Sequence, residues 1–174
     1  PLKGLLACDQ FGIGKIPTND LISLAIKFVF SQKQANFSDL TNKSFLVTGG
    51  ATTEKIDSAR MITNNSSGAM SLLLAQVARF RGAKVTYIHG PLKLNAEIIE
   101  GIESHEVQNG SELNKLIQKE VHNYDYFFMN AAVADIRIKT DIMHKVPKTN
   151  LKYHLANNLE LVPDILRDCL LYTS

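Results

Sequence analysis

Long apolar runs and a strong excess of one charge are both missing from this sequence. No segment reaches the roughly 18 apolar residues needed to cross a bilayer, and no secretory signal pattern is visible. Nineteen Lys and Arg against 17 Asp and Glu leave a net charge of +2, which favours neither a nucleic-acid groove nor a membrane-binding face. We therefore expect a cytoplasmic protein without nucleic-acid or membrane partners.

Disulfide and zinc patterns are missing as well. Cys8 and Cys169 lie far apart and form no C-x-x-C pair, so no disulfide framework is expected. The five histidines show no H-x-x-x-H spacing, which argues against structural zinc and leaves any metal ligands unknown. Segment 169–174 has the sequence that one reading frame of a transposase adapter would encode. We expect a non-native junction there, with a terminal helix turn as the alternative.

What remains is enough apolar sequence for a globular core, since 45% of the residues are hydrophobic and 21% are charged. Residues 1–17 are predicted to form a structured loop, because they contain Gly4, Gly12, Gly14 and Pro17 and few periodic apolar positions. Apolar spacing predicts a helix at 20–30 with Thr18 as N-cap. The polar stretch 31–43 is predicted to be a linker that contains a domain boundary.

From residue 44 onward, short apolar strands alternate with amphipathic helices. The predicted strands are 45–47, 84–88, 105–108 and 126–133. The predicted helices are 67–81, closed by Gly82, and 111–122, with Ser111 as N-cap; 51–66 and 135–150 are predicted to be irregular. The first of these helices carries a stripe expected to face the core, which consists of Met70, Leu73, Leu74, Val77 and Phe80. This order predicts an α/β fold: a Rossmann-like, mostly parallel sheet with helices on both faces, incomplete at the C-terminus.

Three polar segments fall at the carboxyl ends of predicted strands or at a helix start, where open parallel sheets bind ligands. Gly49 and Gly50 allow close backbone approach to a phosphate or carboxylate. Residues 60–68 lead into a helix N-terminus, which suits an anion. Residues 130–135 combine small side chains, which leave room for a flat ring, with an acid. Each segment also has an ordinary interpretation. The first could be a strand-to-loop turn, the second a helix N-cap, and the third a turn or helix cap formed by an Asp.

Together, these segments resemble the bacterial phosphopantothenate-cysteine ligase family. The family pattern appears as Thr48-Gly49-Gly50-Ala51-Thr52, Glu54, Ile56-Asp57, Arg60, Ile62-Thr63-Asn64 and Ser66-Ser67-Gly68. The Ala-Ala-Val-Ala-Asp motif of the family is intact at residues 131–135, and Lys145 falls where its lysine loop begins. The resemblance covers most of the chain after residue 40.

The resemblance implies a reaction of coenzyme A biosynthesis. CTP with Mg²⁺ activates the carboxylate of 4'-phosphopantothenate as an acyl-cytidylate, and cysteine then displaces CMP. Asn64 would hold the acyl-cytidylate, Lys145 would neutralise triphosphate charge, and Asp135 would bind the cytosine or its ribose. The other implied site residues are Arg60 for the substrate and, for the nucleotide, Gly49, Gly50, Ser66, Gly68, Ala131, Ala132, Pro163 and Asp164. A dimer through the ligase domain is implied too.

The first residues resemble the substrate clamp of the phosphopantothenoylcysteine decarboxylase that is fused ahead of this ligase in many bacteria. The family's Ala-Cys-Gly-x-x-Gly-x-Gly-Arg-Met aligns with residues 7–16, and Cys8 matches its proton donor. FMN is expected only for the missing upstream part. The implied domains are a decarboxylase remnant with linker (1–36), the front part of the ligase (37–168) and the junction (169–174).

Several departures from the ligase pattern predict weak activity, or an inert fragment. Ala69 and Ser71 stand where the family has Lys and Gly, and Pro147 stands where a second Lys is common. A nicotinamide-dependent reductase is the main alternative, since Thr-Gly-Gly-Ala-Thr also opens dinucleotide folds. That class needs a third nearby glycine and an immediate helix, and neither follows Gly50 here. A non-catalytic nucleotide-binding module is the other alternative.

Overall fold

The computed structural model describes residues 2–6, 9–31, 38–93, 96–139 and 143–171. In chain order the strands are β1 (Leu2–Leu5), β2 (Phe11–Lys15), β3 (Ser44–Gly49), β4 (Thr53–Asp57), β5 (Arg60–Thr63), β6 (Lys84–His89), β7 (Glu103–Glu106), β8 (Tyr126–Met129), β9 (Ile136–Ile138) and β10 (Leu159–Leu161). The α-helices are α1 (Asn19–Ser31), α2 (Ala69–Phe80), α3 (Gly110–Glu120), α4 (Lys148–Asn158) and α5 (Ile165–Leu171). Within these ranges, no helix is both long and apolar enough to cross a membrane.

The predicted parallel sheet is confirmed. Its four strands lie in the order β7-β6-β3-β8, and every neighbouring pair runs parallel. β3 lies inside the sheet and is buried from Phe45 to Gly49, because a parallel sheet is covered on both faces. Two strands differ most from the predicted ones: β7 runs from Glu103 to Glu106 rather than over 105–108, and β8 ends at Met129 rather than at Val133. The small residues that follow Met129 leave the sheet and form a loop.

Helices cover both faces of this sheet, as predicted. α2 packs on one face in a cluster that includes Val47 and Tyr87. α3 and α5 pack on the other face with Leu46 and Ile88. Neighbouring residues of β3 therefore enter opposite layers, as the two-residue period of a strand requires.

The predicted core face of α2 is wrong. Met70 is 74% exposed and Leu73 is 40% exposed, whereas Leu72 is only 1% exposed. The buried face of α2 consists of Ser71, Leu72, Ala75, Gln76 and Ala78. Two polar members of this face have internal partners. The Ser71 hydroxyl bonds to the Tyr87 hydroxyl, and the Gln76 amide donates to the carbonyl oxygens of Ile98 and Glu100. Buried polar residues therefore hid the true face from an apolar pattern.

Three segments predicted to be irregular contain strands or helix. Residues 1–17 contain the antiparallel hairpin of β1 and β2, and 51–66 contain that of β4 and β5. Within 135–150, β9 pairs with β10 and α4 begins at Lys148. In the first hairpin, a Cβ on Gly4 would lie 2.8 Å from Cδ of Lys15, so glycine leaves room there for the Lys15 side chain.

The helix ends test three sequence predictions. The Leu21 N–H donates to Oγ1 of Thr18 at 3.4 Å, which confirms the N-cap of α1. Gly82 follows α2 with φ of 93°, a left-handed conformation suited to glycine. The Ser111 N-cap is wrong. Oδ1 of Asn109 accepts the Glu112 N–H at 2.9 Å instead, and Oγ of Ser111 accepts from Arg137.

Two predicted boundaries fall partly outside the described residues. Residues 32–37 of the predicted linker and 172–174 of the predicted junction are not among them. Cys169 is described and lies in the cluster formed with α3, and the Gln118 amide donates to its Sγ at 3.6 Å. The non-native origin of 169–174 stays a prediction.

We predict that Leu72→Ala lowers the free energy of unfolding by about 2–5 kcal/mol, because it leaves a cavity under α2. Leu73→Ala, one residue away and on the exposed face, should lower it by less than about 1 kcal/mol. Urea unfolding followed by far-UV circular dichroism measures both, since the chain has no Trp. Equal losses of unfolding free energy in the two variants would contradict the buried face described here for α2.

We also predict that the Cys169 thiol reacts slowly while α5 is docked. Burial, and then the nearby Asp168 carboxylate, raise the pKa of this thiol, so little thiolate is present near pH 7. In a Cys8→Ser chain, labelling of Cys169 by an aromatic disulfide reagent should be at least about tenfold slower than labelling of the same chain in urea. Equal rates would show that α5 does not cover this residue.

Candidate functional site

The carboxyl ends of β3 and β8 are joined by their backbones. The Ala132 N–H donates to the Gly50 oxygen at 2.8 Å, and the Thr52 N–H donates to the Ala132 oxygen at 3.2 Å. Ala51 and Ala132 form an isolated parallel bridge between these bonds. The first and third candidate segments are therefore adjacent at the end of the sheet where a ligand is expected.

Two buried threonines attach the rest of the loop that follows β8. Oγ1 of Thr48 accepts the Asn130 and Ala131 N–H groups at 3.1 and 3.3 Å. Oγ1 of Thr52 accepts the Ala134 N–H at 2.9 Å. Sequence reasoning assigned no role to these hydroxyls, although two threonines at a strand end are the available signal. They satisfy backbone donors that the small residues of the loop cannot satisfy themselves.

Asn64 lies against the same loop. Its Nδ2 donates to the Val133 oxygen at 2.9 Å, and the preceding Thr63 hydroxyl donates to the Thr52 oxygen at 2.9 Å. The end of β5 is thereby held beside the ends of β3 and β8. The second candidate segment thus meets the other two, as the position of ligand sites in open parallel sheets predicts.

The start of α2 approaches the same place through glycines. Gly50 and Gly68 have φ of 71° and 79°, and a Cβ on Gly68 would lie 3.3 Å from the Gly50 Cα. A Cβ on Gly90, after β6, would lie 1.9 Å from the Ala51 oxygen. These contacts require glycine. Gly68 supplies no side-chain cap to α2, and the Ala69 N–H donates to Oγ of Ser67 at 3.3 Å in an exposed bond for which an anion would compete.

A cavity of about 560 Å³ lies beside the loop after β8. Its size falls in the usual range for a small-molecule site. One wall is the segment from Ala131 to Asp135, and the opposite wall is the segment from Leu161 to Leu166. Five predicted nucleotide-binding residues line it: Ala131, Ala132, Asp135, Pro163 and Asp164. Their positions agree with the prediction, while their roles remain predictions.

The far wall is fixed to the near wall by β10. The Val162 N–H donates to the Asp135 oxygen at 2.9 Å, and Arg137 forms an ion pair with Glu160 at 2.7 Å. Oδ1 of Asp164 accepts the Arg167 N–H at 3.1 Å, so this carboxylate caps the N-terminus of α5. The Asp135 side chain is exposed at the cavity instead. Of the two acids, Asp135 is the better placed for a ligand.

Other predicted site residues lie outside this cavity. Gly49 packs against α2, since a Cβ there would lie 1.9 Å from Oγ of Ser71, and its contacts are structural. Arg60 does not line the cavity, and its Nη1 donates to Oδ2 of Asp57 at 2.9 Å and to the Val146 oxygen at 3.3 Å. Ser66 and Gly68 lie at the start of α2, and Lys145 lies in the segment before α4. Cys8 lies outside the described residues.

Asp57 is a buried acid that sequence reasoning did not single out as a site residue. Burial raises its pKa, but N–H groups of Ala59 and Val146 and the charge of Arg60 outweigh burial, so the pKa lies below its usual value. It is therefore ionised near pH 7. Across the described residues, no group of three or more His, Cys, Asp or Glu side chains is arranged to hold a metal ion.

Sequence comparison finds one family and several relatives. The family described as "DNA/pantothenate metabolism flavoprotein C-terminal domain" matches residues 40–171. The coenzyme A biosynthesis bifunctional protein CoaBC of Vibrio cholerae is 34% identical over 167 residues, which cover 95% of this chain and 40% of the relative. CoaBC of Borreliella burgdorferi is 34% identical over 167 residues, with 96% and 41% covered. This chain thus spans about 40% of the length of these curated relatives.

Solved structures agree with the fold. The crystal structure of the C-terminal domain of coenzyme A biosynthesis bifunctional protein CoaBC has a TM-score of 0.60 at 32% identity, covering 77% of this chain and 60% of that chain. The DNA/pantothenate metabolism flavoprotein from Streptococcus pneumoniae has a TM-score of 0.54 at 22% identity, covering 71% and 62%. The second likeness concerns the fold alone.

We predict that Thr52→Val lowers the free energy of unfolding by about 1–3 kcal/mol, because the buried Ala134 N–H loses its acceptor. The Ala134 amide signal should also shift in an NMR spectrum. Thr53→Val is the matched control: its hydroxyl donates to the Gln108 oxygen in an exposed bond that water can replace, so a loss below about 1 kcal/mol is expected. Equal losses would contradict the arrangement of the loop after β8.

Proposed function

Because the chain belongs to the DNA/pantothenate metabolism flavoprotein C-terminal domain family, we propose that it forms the front part of a CTP-dependent phosphopantothenate-cysteine ligase of coenzyme A biosynthesis. Its substrates would be 4'-phosphopantothenate, cysteine and CTP. The relatives named above are bifunctional proteins of coenzyme A biosynthesis, and this chain covers only part of their length. The observation that carries the proposal is the meeting of Asn64 with the cavity loop.

The proposed reaction has two steps. A carboxylate oxygen of 4'-phosphopantothenate attacks the α-phosphorus of CTP, and the bond to pyrophosphate breaks. The cysteine amine then attacks the acyl carbon of the resulting acyl-cytidylate, CMP leaves with the electron pair of the C–O bond, and the amine loses a proton. Neither step needs a protein nucleophile, so donors fixed in advance would supply most of the catalysis.

The size and lining of the cavity support a site for the cytidine part of this substrate. Ala131 and Ala132 keep one wall flat enough for a ring to lie against the backbone. The exposed Asp135 carboxylate would accept hydrogen bonds from the cytosine amino group or the ribose hydroxyls. Across the cavity, Pro163 and the Asp164 turn form the other wall.

The phosphate groups would lie nearer the start of α2. Ser66 and the Gly50 and Gly68 backbones are next to the N-terminus of this helix, where N–H groups favour negative charge. Asn64, whose Nδ2 donates to the Val133 oxygen of the cavity loop, would contact the acyl-cytidylate. Lys145 would neutralise triphosphate charge.

Mg²⁺ fits this proposal through oxygen donors. Protein sites usually hold Mg²⁺ by one or two carboxylates together with substrate phosphates. Here the phosphate oxygens of CTP would hold the ion, which would neutralise their charge, while the Asp135 carboxylate would bind the cytidine part. FMN would belong to an upstream decarboxylase part, and Cys8 to its substrate clamp. A cytoplasmic location and a dimer through the ligase domain complete the proposal.

The reductase alternative is disfavoured by the elements that follow Gly50. A dinucleotide fold requires a helix directly after its glycine turn, so that the helix N-terminus meets the pyrophosphate. Here the β4–β5 hairpin follows, and the next helix begins at Ala69. An inert nucleotide-binding module differs from a ligase only in turnover, so an experiment has to separate those two.

We predict that CTP with Mg²⁺ shifts the amide signals of 131–135 in NMR titrations, whereas NADP does not and ATP binds more weakly. Asp135→Asn should weaken CTP binding about tenfold or more, because a charged hydrogen bond is lost. Asp125→Asn is the matched control, since Asp125 accepts from Ser44 at the opposite end of the sheet and should leave CTP affinity unchanged.

Three outcomes would contradict this proposal in different ways. Shifts produced by NADP would favour the reductase. CTP shifts away from 131–135 would exclude the cavity as the cytidine site. CTP binding without pyrophosphate release in the presence of 4'-phosphopantothenate and cysteine would show a nucleotide-binding module without ligase activity.

A further inference from the structure

Side chains at the turn between β4 and β5 bond to the backbone of a distant residue, Val146. Oδ2 of Asp57 accepts the Val146 N–H at 3.2 Å, and Nη1 of Arg60 donates to the Val146 oxygen at 3.3 Å. Both polar groups of the Val146 backbone are therefore held by side chains that lie 89 and 86 positions earlier in the chain. We call Asp57 and Arg60 the clamp pair.

The clamp pair is itself held by several hydrogen bonds. Asp57 is 3% exposed, its Oδ1 accepts the Ala59 N–H at 2.8 Å, and its Oδ2 also accepts from Arg60 at 2.9 Å. A buried carboxylate with three donors has little freedom to move, and separating it from its partners would leave a buried charge unpaired. Val146 is buried as well, so the bonds to its backbone are shielded from water.

The sequence around Val146 adds a second restraint. Pro147 follows it, and a residue before proline is limited to extended backbone conformations. Pro147 also lacks an N–H and precedes the first residue of α4. Lys145, directly before Val146, has an exposed side chain on a backbone that is fixed by its neighbour. The exposed Lys145 side chain is thus attached to a backbone that is held in place on its C-terminal side.

We propose that Asp57 and Arg60 are positioning residues that hold the Val146 backbone and thereby place Lys145 for the triphosphate of the bound nucleotide. This inference rests on the proposed function, in which Lys145 neutralises that charge. A cation fixed before the ligand arrives stabilises negative charge better than one that must be ordered on binding. Arg60, predicted from resemblance to bind the substrate, would instead act through Lys145.

The experiment compares CTP with cytidine, which lacks the phosphates. Affinities of the whole chain for each, with Mg²⁺ present, are measured for Lys145→Ala, Asp57→Asn and the double variant. We expect Lys145→Ala and Asp57→Asn each to weaken CTP binding about tenfold, and both to leave cytidine binding unchanged. The double variant should be no weaker than Lys145→Ala, since both changes remove one contact.

Two controls separate positioning from folding. Ser58→Ala lies in the same turn and should leave both affinities unchanged. Hydrogen exchange of the Val146 amide should accelerate in Asp57→Asn and not in Ser58→Ala. If Asp57→Asn does not fold, as judged by circular dichroism, Arg60→Leu replaces it, because this variant removes only the bond to the Val146 oxygen and the ion pair.

The outcomes distinguish the two proposals. If Lys145→Ala leaves CTP binding unchanged, the phosphate role of Lys145 in the proposed function is wrong, and the clamp inference is overturned with it. If Lys145→Ala weakens CTP binding but Asp57→Asn does not, or if their losses add in the double variant, only the clamp inference is overturned. Equal loss of CTP and cytidine binding in Asp57→Asn would show a general structural role and would also overturn it.

Discussion

The backbone bonds of Gly50 and Thr52 to Ala132 are the constraint on which the site depends. β8 ends at Met129, and without these bonds the small residues after it would have no regular partners. Alanines supply almost no side-chain contacts, so the conformation of this loop is determined by backbone groups and by the hydroxyls that accept from it. The same lack of side chains leaves room for a ligand. Stability of the loop and space for the ligand therefore have one cause.

The rule that ligands bind at the carboxyl ends of parallel strands predicted which segments come together, but not the hydrogen bonds that join them. Asn64 and the alanine loop were expected to meet because parallel strands end at the same edge, and they do. The identity of the bond, Nδ2 of Asn64 to the Val133 oxygen, depends on the register of residues 69 positions apart. No local pattern determines that register. Thr48 and Thr52 were missed for the same reason, since only the docked loop shows what their hydroxyls accept.

The errors in the fold share a different physical origin. Three strands of the sheet, β3, β6 and β8, were found because their sequences are mostly apolar, whereas the edge strand β7 is polar and exposed and was predicted two residues too late. The face of α2 was wrong because Ser71 and Gln76 are buried and hydrogen-bonded, while Met70 and Leu73 are exposed. The β4–β5 hairpin was missed because its buried residues include two acids, Glu54 and Asp57. Periodicity measures hydrophobicity, and it fails where buried polar groups have partners far along the chain.

That hairpin connects the parts of the site. Glu54 accepts the Gly110 N–H at 2.8 Å and so holds the start of α3, which lies against Val133 and Val162 of the cavity region. Asp57, three residues later, holds Val146. Because an unpaired buried carboxylate is costly, each acid requires its distant partner to be in place. The hairpin therefore links the cavity region to the segment that carries Lys145 through the bonds of two buried acids.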